Sequence, residues 1–114
     1  MLRIKRIYDE PSPADGLRIL VDRIWPRGMS KDRAHIDRWE KELGPSNELR
    51  KWFGHEPARF DEFARRYRIE LSARSELVDE IRALAAEHTV TLVYSARDED
   101  HNQAVVIASV IRGS

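Results

Sequence analysis

The chain has 114 residues and a formal net charge of zero, with 20 Lys plus Arg against 20 Asp plus Glu. Hydrophobic residues at 41% and charged residues at 35% exclude a disordered tail or a fibre and leave one domain with its own core. The neutral balance disfavours a nucleic-acid binder and a polybasic membrane-surface protein, and the absence of cysteine excludes disulfides, thiol nucleophiles and thiolate metal sites.

Residues 2–8 alternate loosely and read as a first strand near a sheet edge. Pro11, Pro13 and Gly16 interrupt regular structure. Residues 17–24 (LRILVDRI) have the length and branched side chains of a second strand, apolar on both faces as in a strand covered on both sides. Trp25-Pro26-Arg27-Gly28 ends it, and a polar loop with Lys31, Asp32 and Arg33 follows. Residues 36–43, with Trp39, suit either helix or strand.

Ser46 is placed to cap a helix over residues 47–53, with Gly54 as its C-cap. Pro57 suits the first position of the next helix, where Phe60, Phe63, Ala64, Tyr67 and Leu71 form one apolar stripe. Arg66 and Glu70, four apart, are expected to pair. The chain breaks or bends around residues 72–75, and Leu77, Ile81, Leu84 and Ala85 make a second stripe. Residues 89–94 (TVTLVY) read as a buried strand. A strongly apolar helix over residues 102–111 follows, with Asp100 as N-cap and Gln103 completing a capping box.

The helix–strand–helix run at the end predicts an α/β fold, a single compact layered domain over residues 1–114 with a small, partly parallel sheet flanked by helices. In such sheets ligands bind where strands end and helices begin. Residues 22–28 and 94–97 qualify, and both open onto one rim if their strands are parallel neighbours. No apolar run exceeds the five residues 104–108, and residues 1–7 are too charged for a signal peptide. The expectation is a cytoplasmic protein away from membranes.

The residues that carry these elements also carry a resemblance. The string 20–28 (LVDRIWPRG), Pro45-Ser46 with residues 49–53 (LRKWF), Phe63 with Tyr67 and Glu70-Leu71, residues 91–96 (TLVYSA) and 101–104 (HNQA) resemble the YeaO-like branch of domain-of-unknown-function family 488. The resemblance runs nearly the whole chain, and its VDRxWPRG string is fairly specific. It implies a compact bacterial-type α/β domain with no established activity. Relatives in other branches look Cys-bearing near His101-Asn102, and a thiol role there does not carry over to a chain without cysteine.

Candidate site residues follow from the rim. Arg outnumbers Lys 16 to 4, and most of that excess reads as compositional bias. Arg23 and Arg27 are expected to contact an oxyanion through their forked donors. Asp22 is either a base whose pKa burial raises or half of an ion pair with an arginine, with the ion pair favoured. Trp25 is read as a plug on the sheet end, Trp39, Trp52 and Phe53 as core, and Tyr67 as a buried hydroxyl with one partner.

Tyr94, Ser95, His101 and Asn102 form the best chemical constellation. A Ser95–His101 pair would activate a nucleophile, but the Gly-x-Ser-x-Gly elbow is missing and no third group can be assigned. His101 as a ligand-binding group near a helix start is the better reading. The catalytic candidates are thus Ser95, His101 and Asp22, with the reaction unassigned. The ligand-binding candidates are Arg23, Arg27, Tyr94, Ser95, His101 and Asn102.

His35, His55, His88 and His101 are too widely spaced for a metal site, and His55-Glu56 with Asp61 and Glu62 reads as a solvated helix start. No phosphate-cradling glycine motif occurs, and no cofactor is expected. The leading function is binding of a small phosphate- or carboxylate-bearing molecule. The alternatives are a non-catalytic interaction or regulatory module that uses the Trp25 loop, with a homo-oligomer as one form of it, and an Arg-driven nucleic-acid binder.

Overall fold

A computed structural model describes residues 1–113. Four strands, β1 (Leu2–Arg6), β2 (Leu17–Leu20), β3 (Arg38–Trp39) and β4 (Val90–Tyr94), form one sheet in the order β1-β4-β2-β3. Every neighbouring pair is parallel. The helices are α1 (Lys31–Ala34), α2 (Asn47–Phe53), α3 (Phe60–Ser72), α4 (Ser75–Glu87) and α5 (Gln103–Arg112).

Successive side chains of the central strands leave on opposite faces, and nearly all are buried on both. Ile19 and Leu92 enter the larger core with Phe63, Tyr67, Ile81 and Ile107. Leu20 and Val93 enter a smaller one with Ile7, Met29 and Ala34. Both faces of β2 are thus covered, as its branched residues predict. Helices α2 to α5 supply the large layer, and α1 with the Trp25–Trp39 pair supplies the small one.

Several expected elements shift. The second strand ends at Leu20 rather than at residue 24, because beyond the Val21 N–H, which still bonds Val93 O at 3.0 Å, the Asp22 side chain turns to Ser95. The ambiguous stretch resolves into the two-residue β3 and a 3₁₀ turn, Lys41–Leu43. The loop after Gly28 contains a single helical turn, capped where Ser30 Oγ accepts from Arg33 N at 3.1 Å. Trp39 and Trp52 are only half-buried, and Trp52 lies under the guanidinium groups of Arg59 and Arg66. Arg66 pairs back to Glu62 at 2.8 Å rather than forward to Glu70.

Glu70 is engaged elsewhere. It accepts from Ser46 N at 2.8 Å and from Ser46 Oγ at 2.7 Å, while the same hydroxyl oxygen caps α2 by accepting from Leu49 N at 3.1 Å. Ser46→Ala loses the cap and the carboxylate bond together. It is expected to cost about 1–2 kcal/mol, measured by urea unfolding.

At the start of β2, Asp15 is fully buried and accepts from Arg18 Nη1 at 2.7 Å, Lys5 Nζ at 3.1 Å and Ser12 N at 3.0 Å. Gly16 follows at φ +62, and a Cβ there would lie 2.2 Å from Thr89 O. Only glycine permits this approach. It lets Leu17 N reach Thr89 O at 2.9 Å, which sets the register of β2 against β4.

Candidate functional site

Parallel pairing of β2 with β4 brings their carboxyl ends side by side, Leu20 opposite Val93. The segments beyond them, residues 22–27 and 95–96, border a cavity of about 440 Å³, within the size range of small-molecule sites. Asp22, Arg23, Arg27 and Ser95, all expected from the sequence, line it. Arg50, His55, Phe63 and Gln103 line it as well.

Depth follows from exposure. Asp22 is 7% exposed and lies deepest among the polar liners, Ser95 and Gln103 are half-buried, and Arg27, Arg50 and His55 are exposed at the mouth. Phe53 and Phe63 are buried and stacked, with centroids 4.3 Å apart, and form an apolar wall. Trp39 Nε1 donates to Asp22 O at 2.7 Å and Trp25 Nε1 to Met29 O at 2.7 Å, and the two indoles meet edge to face. Trp25 therefore caps the smaller core while its loop borders the cavity.

Asp22 departs from the favoured ion-pair reading, because among the described residues no arginine bonds it. Ser95 Oγ donates to one carboxylate oxygen and Gln103 Nε2 to the other. Arg23, its chain neighbour, spends its guanidinium on Pro45 O at 2.9 Å and Gly44 O at 2.8 Å. Burial pushes the Asp22 carboxyl above its ordinary pKa, and the bonds from Ser95 and Gln103 and the charge of His55 only partly offset this.

Tyr94, His101 and Asn102 do not line the cavity. Tyr94 is buried, and that burial raises its hydroxyl pKa. His101 Nδ1 sits 2.8 Å from Asp98 Oδ2, and its ring meets Phe60 edge to face. The Ser95–His101 pair does not form, since each side chain has a different partner.

Asn102 replaces Asp100 as the cap of α5. It has extended backbone, and its Oδ1 accepts from Val105 N at 3.1 Å. Asp98 holds the preceding residues in a turn, accepting from Asp100 N at 2.9 Å and His101 N at 3.1 Å, so His101 precedes the helix instead of joining its first turn. These bonds to Asp98, first that from the Asp100 N–H, hold its carboxyl below the usual range.

The charged mouth is where sequence reasoning fell short. Arg50 stands on α2, and His55 follows Gly54 with a second left-handed residue, φ 57 after φ 54. Arg50 and Phe53 before that double turn and His55 within it all line the cavity. A non-glycine residue in this region is uncommon, and its backbone costs about 1 kcal/mol or more. A Gly-His pair at a helix end was the available signal. Gln103 was legible only as a capping partner, and its bond to Asp22 depends on tertiary placement.

Chemically, the cavity offers guanidinium and imidazole groups outside, a hydroxyl and an amide in the middle, and one buried carboxylate. Among the described residues no group of three or more His, Asp or Glu could hold a metal ion, and no helix is long and apolar enough to cross a membrane.

The chain is 44% identical over 112 residues to an uncharacterized protein of Mycobacterium tuberculosis, covering 98% of this chain and 94% of that one. It is 40% identical over 111 residues to the uncharacterized protein YeaO of Escherichia coli (strain K12), covering 97% and 96%. No solved structure gives a significant match. The family model described as the inactive DUF488-N3 subclade matches residues 1–114, and the chain belongs to that subclade of domain-of-unknown-function family 488.

Proposed function

We propose that the cavity binds a small phosphate- or carboxylate-bearing molecule and does not turn it over. The observation that carries this reading is Arg27. Its guanidinium lines the mouth and, among the described residues, has no hydrogen bond or ion pair of its own. Arg50 joins it there with one long contact, 3.5 Å to Asn47 Oδ1. Forked donors held at a concave opening suit an oxyanion. Binding without turnover is supported by the Ser95 hydroxyl, which donates to Asp22 while His101 is held by Asp98, and by the family's description as inactive.

Inorganic phosphate at about ten times its Kd is expected to stabilise the protein by about 1.4 kcal/mol, a rise of several degrees in Tm. Arg27→Ala and Arg50→Ala, both at exposed positions, are expected to leave the unliganded Tm unchanged and to weaken phosphate about tenfold each. A thermal-shift titration with phosphate and citrate checks this. No shift with either ion in the wild-type protein overturns the reading.

A second reading, a partner-docking surface, is favoured by Ile24, which is 57% exposed at the cavity edge beside the half-buried Trp25. Sedimentation that shows a monomer at all concentrations counts against its homo-oligomeric form.

A further inference from the structure

The cavity holds a buried carboxylate that, among the described residues, pairs with no cation. Asp22 takes hydrogen bonds from neutral groups, the Ser95 hydroxyl and the Gln103 amide. Among the described residues no Lys, Arg or His forms an ion pair with it, and His55 is an exposed side chain at the cavity mouth. Arg23, the residue placed to neutralise it, is turned onto the carbonyls of Gly44 and Pro45. The contrast lies at the other end of β2, where buried Asp15 holds both Arg18 and Lys5.

A carboxylate taken from water without a cation is costly, and proteins seldom keep one unless something else supplies the charge. Here the carboxylate faces an open cavity rather than packed core. At the mouth of the same cavity the Arg27 guanidinium has no partner among the described residues, and Arg50 makes one long contact to Asn47. Positive outside and negative inside is the complement of a molecule with an anionic head and a cationic tail.

We propose that the ligand is a small dipolar molecule, a primary amine that also bears a phosphate or carboxylate, with its ammonium on Asp22 and its anionic group on Arg27 and Arg50. The proposal rests on the anion-binding reading above and adds the amine to it. An ammonium fits the chemistry of the deep end, since it brings only donors to a group that only accepts when ionised. The aromatic wall of Phe53 and Phe63 would cover the short alkyl link between the two charges.

Matched probes separate the two claims. Calorimetric titration compares 2-aminoethyl phosphate with ethyl phosphate, and β-alanine with propionate. Within each pair only the ammonium differs. The wild-type protein is expected to bind the amine at least about tenfold more tightly in both pairs.

Asp22→Asn is expected to abolish that preference. Equal binding within each pair overturns the dipolar ligand and leaves the anion site standing. Failure of every probe, inorganic phosphate included, overturns both. If Asp22→Asn does not fold, the wild-type comparison still decides the matter.

Discussion

Asp15→Ala is expected to remove about 3–5 kcal/mol of stability, because it strands a buried guanidinium. Arg18 is 3% exposed. It gives Nη1 to Asp15, Nε to the carbonyls of Ala34 and His35, and Nη2 to that of Ala34. Those carbonyls satisfy hydrogen bonds but do not neutralise charge. Loss of the carboxylate also frees Lys5 and the Ser12 N–H that closes the 3₁₀ turn over Pro13–Asp15.

The effect has a pH signature. Burial pushes the Asp15 carboxyl up, but the Ser12 N–H, Lys5 and Arg18 outweigh it and hold the pKa below its ordinary value. A depressed folded pKa adds stability above the unfolded value, about 3.9, and loses it as pH falls through the folded value. Asp22 has the opposite sign, since its raised pKa costs stability as pH rises from the unfolded value through the folded one. The difference between wild type and Asp15→Ala isolates the first group. Urea unfolding should show the full gap at pH 7 and a smaller one at pH 3. A constant gap would refute the electrostatic account.

Phe63→Ala is expected to cost about 3–5 kcal/mol through the hole it leaves. Phe63 is buried at 1% exposure, stacks on Phe53 and tilts against Tyr67 with centroids 5.4 Å apart. It also walls the cavity, so the hole would open towards the site and not stay sealed in the core. Phe63→Leu keeps most of the volume and is expected to cost less than about 1.5 kcal/mol. Chemical denaturation of both variants, with a phosphate titration of the leucine variant, separates packing from binding. Phosphate affinity should survive Phe63→Leu, because the wall presents no charge to the anion.

The layers were legible in the sequence because apolar periodicity follows from burial. The stripe of Phe63, Tyr67 and Leu71 marks the inner face of α3, and the run from Val90 to Tyr94 lies in a strand buried throughout. Proximity of residues 22 and 95 was legible as a condition, since it needed only parallel neighbours. Partner choice was not.

Arg66 had acids at both −4 and +4, and the helix alone does not show that Ser46 would claim Glu70. Asp100 and Asn102 both suit an N-cap, and Asp98 decided between them by tying down the turn in front. His101 read as a ligand-binding group near Ser95, yet three residues back it had an acid within reach. Polar side chains choose among near-equal local partners, and tertiary placement makes the choice.

The strand order has a consequence for how the chain is made. β4, which begins at Val90, lies between β1 and β2, and neither of those strands pairs with the other. A growing chain that has not yet reached residue 90 has only the two-residue ladder between β2 and β3 to build on. The sheet therefore waits for residues 90–94, and its assembly is a long-range event that cannot begin until they are made.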